Sequence, residues 1–315
     1  MRRQMSKILG IDTSNYTTSA ALLDTDSMKV VQSKMLLPVK RGEKGLRQSD
    51  AVFHHTKQLP RVLKDVMPEN AVKLSGIGVS VKPRSFDGSY MPCFLVGQSA
   101  AEVMGLALGL VPEFTSHQTG HILAALYSCK MLKLLKEDSS FIAFHVSGGT
   151  TDMLLCTPNK DTVLNIETIG CSLDLNAGQV IDRTGIMLGL DFPCGIELER
   201  LALKSGASYR IKPSMKDMNC CLSGVENQCR NMYGSGVSKE DVAFFCISSI
   251  LAAIKEMTKL AKLKYGELPF IYAGGVMSNK FIASNLEHGY FAEPEFSRDN
   301  AVGAAIYSAV RKGLI

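Results

Sequence analysis

Residues 141–156 read FIAFHVSGGTTDMLLC, which is an apolar strand, a polar turn at Gly148–Gly149 and a second apolar strand. Residues 7–23 read KILGIDTSNYTTSAALL and follow the same order, with small hydroxyl residues in the turn. A strand–turn–strand unit that recurs near the start and near the middle of a chain predicts a duplicated fold. We expect one such unit to open each of two lobes.

The remaining segments alternate between helical and strand patterns, which predicts an α/β protein. Small apolar residues fill 97–110 and predict a helix buried against a sheet. Ser238 and the acidic residues after it have the pattern of a capping box that opens a long helix. Residues 269–273 predict a strand, Gly274–Gly275 a tight turn, and the last helix is predicted to start near Asp299.

Composition is that of an ordinary globular protein, with 46% apolar and 21% charged residues in 315. This length allows two domains with a large core. No apolar run reaches the roughly 18 residues that span a bilayer, so no membrane association is expected. Nine cysteines without a CxxC pair predict reduced thiols and a cytoplasmic location. The net charge of +5 is compatible with a phosphate-bearing partner but does not demonstrate one.

His117-Gln118-Thr119-Gly120-His121 places two imidazoles four residues apart, on one face of a helical turn. This spacing suits two ligands of one transition metal, and it equally suits a pair of packing or surface histidines. A metalloprotease is not expected, because the HExxH motif needs a glutamate where Gln118 stands.

Two glycine turns can present backbone N–H groups to a phosphate, one at Ser147–Gly149 and one at Gly274–Gly275. Most such glycines only form turns. Asp12 ends the first strand, where a carboxylate suits phosphotransfer folds. Asp182 precedes an apolar helix and is either its N-cap or a ribose ligand. Asp299 has the N-cap of the last helix as its simplest role.

Taken together, these motifs resemble the TsaD family, whose archaeal and eukaryotic members belong to the KEOPS complex and which was once labelled a glycoprotease family. The similarity covers nearly the whole chain. In chain order the matching segments are residues 8–14 (ILGIDTS against LGIETS), His117 with His121 (HxxxH), residues 145–149 (HVSGG against LVSGG), residues 170–195 (TLDxAxGEAFDK…LGLxYPGG), residues 222–224 (LSG of FSGLK), residues 274–279 (GGVMSN against GGVxxN) and Asp299–Asn300 (DN of DNxAM).

The resemblance implies a two-lobed actin/hexokinase/Hsp70-like (ASKHA) fold, with duplicated ribonuclease-H-like domains and the ligand in the cleft between them. The N-terminal lobe would comprise residues 1–135, completed by a C-terminal helix over 299–315. Residues 136–298 would form the nucleotide-binding lobe. The implied activity is acyl transfer: a threonylcarbamoyl group passes from its adenylate to the N6 amine of adenosine in tRNA.

The same resemblance assigns roles to individual residues. His117, His121 and Asp299 would bind a divalent metal, iron or zinc, and Asp12 and Ser147 would be catalytic. ATP or threonylcarbamoyl-AMP would be the nucleotide. Its site would be built from His145, Val146, Ser147, Gly148, Gly149, Asp182, Gly195, Gly274, Gly275 and Asn279. The expected partners are tRNA and a second family member or another tRNA-modification subunit.

Some segments depart from the family pattern. ETSCDET is replaced by Asp12–Thr18, including Asn15–Thr17, and the GPGL turn by Lys82–Ser85. Thr150, Gln179 and Glu226 replace a histidine, a glutamate and a lysine. The chain is therefore expected to be a divergent paralogue. Its alternatives are a catalytically idle nucleotide-binding scaffold of a true synthase, or a carbamoyltransferase acting on another acceptor.

Overall fold

The computed structural model describes residues 6–14, 16–38, 46–67, 73–136 and 139–315. The chain divides into two compact units. Unit 1 comprises Met1–Asp138, Pro158–Asn165 and Arg298–Ile315, and unit 2 comprises Ser139–Thr157 and Ile166–Ser297. The sequence predicts a division between residues 135 and 136. Unit 1 additionally contains the short segment Pro158–Asn165. Asn15, part of the first altered segment, lies outside the described residues.

The strands of the described chain are β1 Lys7–Ser14, β2 Thr17–Asp24, β3 Lys29–Leu36, β4 Leu74–Lys82, β5 Glu113–Ser116, β6 Phe141–Val146, β7 Thr151–Asn159, β8 Val163–Cys171, β9 Ser214–Lys216, β10 Asn219–Cys221, β11 Phe270–Ala273 and β12 Tyr290–Phe291. The α-helices are α1 Gln48–Val66, α2 Phe94–Leu108, α3 His117–Ser128, α4 Ala177–Met187, α5 Gly195–Ala202, α6 Ser223–Gly234, α7 Lys239–Tyr265, α8 Lys280–Ser284, α9 Pro294–Ser297 and α10 Val302–Arg311. A 3₁₀ turn covers Leu132–Leu135.

The predicted strand–turn–strand repeat is present in both units. β1 pairs with β2, and β6 pairs with β7, as antiparallel hairpins. The first sheet has the order β3-β2-β1-β4-β5, and the second has the order β12-β11-β6-β7-β8. Read in the opposite direction, the second sheet is β8-β7-β6-β11-β12, which repeats the strand order of the first sheet. In both sheets the first strand of the hairpin is parallel to its other neighbour, β4 beside β1 and β11 beside β6. Each unit thus carries one copy of the same mixed sheet.

Three helix predictions need correction. The last helix begins at Val302 rather than at Asp299, and Asn300 Oδ1 accepts the Val302 N–H at 3.0 Å. Asp182 lies inside α4, so it is not an N-cap; Asn176 forms the capping box with Gln179. Only one face of α2 is buried, because its small residues pack while Leu106 is 86% exposed.

α10 packs unusually close to α3 and to the sheet of unit 1. A Cβ on Gly303 would lie 1.8 Å from the carbonyl oxygen of Gly120, so α3 and α10 cross with their backbones in contact. Added Cβ atoms at Gly10 of β1 and Gly78 of β4 would likewise meet α10 carbonyl oxygens, at 2.2 and 1.9 Å. Glycine is the residue that permits such an approach. The C-terminal helix is therefore pressed onto both the sheet and α3.

No disulfide bond joins any of the nine cysteines, all of which the structure describes, and their reduced state remains a prediction. Among the helices of the described residues, none is long and apolar enough to cross a membrane.

α1 is joined to the first sheet by a buried polar chain. His55 is fully buried, and its Nδ1–H donates to Thr18 Oγ1 at 2.8 Å. That direction follows because the Thr18 hydroxyl donates to Gln58 Oε1 at 2.8 Å. His55 Nε2 has no hydrogen-bond partner among the described residues. Burial lowers the pKa of His55 to about 4, with the charge of Asp12 opposing it only in part.

We expect acid to destabilise unit 1 through this imidazole. The unfolded chain binds the His55 proton with an ordinary pKa of 6.5, and the folded chain binds it only near pH 4. The free energy of unfolding should therefore fall as the pH drops from 6.5 towards 4, by up to about 3 kcal/mol from this group. Urea unfolding at several pH values measures the effect.

His55→Asn keeps an N–H donor for Thr18 and removes the titrating ring, so its unfolding free energy should depend less on pH. His54→Asn, at the neighbouring half-buried position, is the matched control and should retain the wild-type dependence. Parallel acid curves for wild type and His55→Asn would refute the assignment.

Candidate metal centre and nucleotide-binding surface

α3 presents the two predicted metal ligands. Ser116 is its N-cap, and the Ser116 Oγ accepts the N–H of Thr119 at 3.1 Å. The helix begins at His117, so His121 lies one turn further along the same face. The two Nε2 atoms are 2.9 Å apart. The spacing in the sequence therefore did predict two converging imidazoles.

Asp299 completes the group, although spacing alone did not connect it to the histidines. Its Oδ1 lies 3.3 Å from His121 Nε2 and 3.6 Å from His117 Nε2. The hydroxyl of Thr17 donates to Asp299 Oδ2 at 3.1 Å, which fixes the carboxylate. No local pattern in the sequence indicates this role of Thr17, because its partner lies 282 residues away. The Asp299 side chain is one-third exposed, so the group is open on that side.

The donor set fits a divalent transition metal. Two imidazole nitrogens and one carboxylate oxygen lie 2.9, 3.3 and 3.6 Å from one another. Ligand atoms about 2.1 Å from a tetrahedral metal would be roughly 3.4 Å apart. His₂Asp is a donor set for iron, zinc and similar ions. Gln118, where a metalloprotease would have glutamate, supplies no carboxylate.

Asp12 lies behind the ligands rather than among them. It is 1% exposed at the end of β1, and its Oδ2 is 2.9 Å from His117 Nδ1. Its other oxygen accepts the Ser14 N–H at 2.9 Å. An ionised carboxylate only accepts, so His117 Nδ1 carries the proton and its Nε2 faces His121 and Asp299. A carboxylate in this position orients a metal-binding imidazole and raises its basicity.

The charges of this site reinforce one another. Burial opposes ionisation of Asp299, but hydrogen bonds from His117 and His121 hold its pKa well below the usual range. Burial likewise opposes a charge on His117, but Asp12 and Asp299 raise its pKa to about 10. Burial and the charge of His117 lower the pKa of His121. Without a cation, His117 therefore carries a second proton, on Nε2, and a metal that binds there has to displace it.

Unit 2 brings both glycine turns together at the end of β6, and the first of them also contacts the start of α4. The Gly178 N–H donates to Ser147 O at 3.1 Å, and a Cβ at Gly178 would lie 2.6 Å from Gly148 N. The Val276 N–H donates to Val146 O at 3.1 Å, which joins the Gly274 turn to β6. Added Cβ atoms at Gly148, Gly149 and Gly275 would meet nothing within 4 Å. Gly148, Gly149 and Gly275 therefore leave open space beside the backbone, which an anion can approach. The N–H groups of Gly149, Ala177 and Gly178 already donate within the chain, to Ser147 Oγ, Thr151 Oγ1 and Ser147 O.

The other predicted nucleotide ligands are connected to this surface. Asp182 lies one turn beyond Gly178 on α4, and its Oδ1 accepts the Cys194 N–H at 2.9 Å, next to Gly195. Burial raises the pKa of Asp182. Asn279 is the N-cap of α8, and its Oδ1 accepts from Ile282 N–H at 2.9 Å.

Two of the predicted nucleotide residues lie on β6. His145 is half-buried, and Val146 is fully buried. A further connection, through Glu199, was not predicted. Glu199 Oε1 accepts the N–H groups of Lys280 and Phe281 at 2.7 and 3.1 Å, joining α5 to α8.

We expect Asp12→Asn to weaken metal binding roughly 10- to 100-fold. The amide is nearly the same size, but it has no charge and no longer fixes the His117 tautomer. Titration calorimetry with Zn²⁺ measures the change, and circular dichroism checks the fold. Asp24→Asn, which removes another carboxylate of the same sheet, should bind Zn²⁺ like wild type. Wild-type affinity in folded Asp12→Asn would exclude the orienting role.

Adjacent glycines give a second test. Gly274 has φ +102°, and a Cβ there would lie 2.1 Å from Val146 O, so Gly274→Ala should cost about 2 kcal/mol of stability or more. Gly275→Ala should fold normally, because its Cβ enters open space, yet it should weaken ATP binding if the nucleotide contacts this surface. Urea unfolding and ATP titration separate the two effects. Equal losses of stability in both variants would contradict this geometry.

Sequence relatives match almost the whole chain. The model of the family described as TsaD, tRNA N6-adenosine threonylcarbamoyltransferase, matches residues 39–306. The tRNA N6-adenosine threonylcarbamoyltransferase of Thermosipho africanus is 28% identical, covering 98% of this chain and 95% of the relative. A probable bifunctional tRNA threonylcarbamoyladenosine biosynthesis protein of Thermoplasma acidophilum is 24% identical over 94% of this chain. The chain spans 54% of that longer relative.

Solved structures show the same fold. Component A of the (R)-2-hydroxyglutaryl-CoA dehydratase of Acidaminococcus fermentans superimposes with a TM-score of 0.58 at 15% identity, covering 98% of this chain and 99% of that one. With the repeated sheet order, this similarity confirms the predicted actin/hexokinase/Hsp70-like α/β fold class. The family match covers well over half of the sequence. The chain therefore belongs to the TsaD family of tRNA N6-adenosine threonylcarbamoyltransferases.

Proposed function

We propose that this protein transfers a threonylcarbamoyl group from threonylcarbamoyl-AMP to the N6 amine of an adenosine in tRNA. The observation that carries the proposal is the convergence of His117, His121 and Asp299 in a chain that matches the transferase family over residues 39–306. The three donor atoms lie within 4.8 Å of one another. Both the ligand set and the family membership point to the same chemistry.

His117, His121 and Asp299 would hold a divalent ion, iron or zinc. Such an ion, when bound, would supply positive charge that orients the donor and stabilises negative charge developing on its carbonyl oxygen. Asp12 keeps the lone pair of His117 Nε2 available by holding the proton on Nδ1. Thr17 fixes Asp299 in the orientation that ligation requires.

The unit 2 surface would bind the nucleotide, ATP or the acyl adenylate. The phosphate would lie against the open backbone of Gly148 and Gly149, near the positive end of the α4 dipole, with the Ser147 hydroxyl as a further contact. Asp182, beside Gly195, would accept a hydrogen bond from the ribose. Asn279 would border the site at the Gly274 turn, where Glu199 holds α8 in place.

The transfer balances without a further reactant. The adenosine N6 lone pair forms a bond to the carbamoyl carbon, and the bond from that carbon to the phosphate oxygen breaks. AMP leaves with the bonding electron pair, and the amine releases one proton to solvent or to the leaving phosphate. Because the acyl group arrives activated, the contribution of the protein is mainly to position donor and acceptor.

We propose tRNA as the acceptor, and a second family member or another tRNA-modification protein as a partner. The Thermoplasma relative, named bifunctional, combines a matching region with additional chain. A cytoplasmic location remains a prediction. An idle scaffold or a different acceptor is not favoured, because relatives matching nearly the full chain are named as the tRNA transferase.

The test is a transfer assay with purified protein, metal, synthetic threonylcarbamoyl-AMP and unmodified tRNA, in which nucleoside mass spectrometry detects the product. We expect modified adenosine from wild type, and at least a 100-fold loss in His117→Ala and Asp299→Ala, because each removes a metal ligand. His54→Ala removes an imidazole from the same unit and should leave the rate unchanged.

The assay is repeated with the partner present if the chain alone is inactive. Absence of modified adenosine under both conditions would refute the proposed function. Full activity in a folded, metal-free His117→Ala protein would refute the role of the metal centre.

A further inference from the structure

Residues 82–92, KPRSFDGSYMP, comprise the last residue of β4 and the loop that leads to α2, and we name this segment the aromatic loop. The metal centre does not account for this segment. Its first four residues, Lys82–Ser85, stand where the family pattern has GPGL, so two cations replace glycines there. Phe86 and Tyr90 follow in the same segment.

The aromatic loop is fixed beside the first turn of α3. The N–H of Gln118, which follows the ligand His117, donates to Pro83 O at 3.0 Å. Ser85 Oγ lies 3.0 Å from the hydroxyl of Ser116 and 3.3 Å from that of Thr119. These residues flank His117 on both sides. The loop is thus positioned by the helix that carries the metal ligands.

Internal contacts also hold the loop in one shape. The Arg84 N–H donates to Ser89 Oγ at 2.9 Å, and the Ser89 N–H donates to Phe86 O at 3.4 Å, closing a turn. Met91 packs against a small buried cluster that includes Phe94. A loop held at both ends and across its middle needs little ordering when it binds a partner.

Two aromatic rings remain outside these contacts. Phe86 is 61% exposed and Tyr90 is 62% exposed. Phe86 opens the Phe86–Ser89 turn, and Tyr90 directly follows it. Phe86 is also adjacent to Ser85, whose hydroxyl contacts the N-cap of α3. Consecutive Cα atoms are about 3.8 Å apart, so Phe86 lies close to the ligand-bearing turn. Lys82 and Arg84 add two positive charges at the same end of the loop.

Exposed aromatic rings next to cations are suited to binding a nucleic-acid strand whose bases are unpaired. Aromatic side chains stack on bases, while lysine and arginine meet the phosphates. Duplex RNA does not fit, because its bases are already stacked and it is recognised by shape. A protein partner could also use exposed aromatics, but the two cations near a proposed RNA-modifying centre favour RNA.

We infer that the aromatic loop binds single-stranded RNA, with Phe86 and Tyr90 stacking on bases next to the acceptor adenosine and Lys82 and Arg84 contacting the backbone. The inference rests on the proposed function, since it names the surface that holds the acceptor. Phe86 and Tyr90 are positioning residues in this scheme. They hold the acceptor strand and take no part in bond making.

The first experiment uses fluorescence. The chain contains no tryptophan, so Phe86→Trp and Tyr90→Trp each introduce a single reporter. Titration with unmodified tRNA should quench both reporters, because stacking on a base quenches indole emission. Phe53→Trp, at a 58% exposed position on α1, is the matched control and should show little quenching. A blunt RNA duplex should leave all three emissions nearly unchanged.

The second experiment measures tRNA affinity and needs no turnover. Phe86→Ala and Tyr90→Ala should each weaken binding about tenfold. Tyr90→Phe should retain it, whereas Phe86→Leu should not, because leucine keeps the apolar contact but cannot stack. Phe53→Ala should bind like wild type. Metal and ATP affinities should not change in any of these variants, which shows that the loop acts on the acceptor alone.

Failure of this inference is distinguishable from failure of the proposed function. If wild type forms modified adenosine but Phe86→Ala and Tyr90→Ala bind tRNA normally, the inference is wrong and the function stands. If wild type binds no tRNA, or if the substitutions weaken only a protein partner, the inference is also wrong. Quenching by tRNA with tenfold weaker binding in the variants supports it even where no product forms.

Discussion

The contact of α10 with α3 is the constraint on which the metal centre depends. Because Gly303 has no side chain, the backbone of α10 touches that of α3 at Gly120, between the two histidines. Asp299 lies four residues before Gly303, so this crossing brings its carboxylate to His117 and His121. A methyl group on Gly303 would push the helices apart and separate Asp299 from the two histidines.

Hydrogen bonds from neighbouring polar side chains orient the residues that this helix crossing brings together. Asp12 fixes the ring of His117 from behind, and Thr17 fixes Asp299 from the side. These residues come from the two strands of the first hairpin, at its turn end. The corresponding hairpin of unit 2 supplies Ser147 to Gly149 at its own turn. In one copy, the repeated hairpin therefore provides side chains that orient the proposed metal ligands. In the other copy, it provides the turn that we propose binds the nucleotide phosphate.

The features of the fold and of the candidate site that depend on short sequence patterns could be predicted from the sequence. The repeated hairpin, the His117–His121 pair and the turn glycines are short patterns whose spacing determines their geometry. The position of Asp299 was different: local pattern suggested a helix cap, whereas tertiary packing directs it to the histidines. Thr17 and Glu199 gave no signal, because their partners are remote in the chain and their residue types are common. Asp182 was misplaced because the Asn176–Gln179 capping box starts α4 earlier.

The dependence of unit 1 on α10 has a consequence for biosynthesis. A ribosome makes residues 298–315 after all of unit 2, yet these residues cover β1 and β4 and deliver the last metal ligand. Unit 2 can fold as soon as its own segment has left the exit tunnel. Unit 1 must wait, with its sheet partly uncovered and the His117–His121–Asp299 group incomplete, until residues 298–315 have been made. Any metal held by these three side chains would therefore bind only to chains that have been synthesised past Asp299.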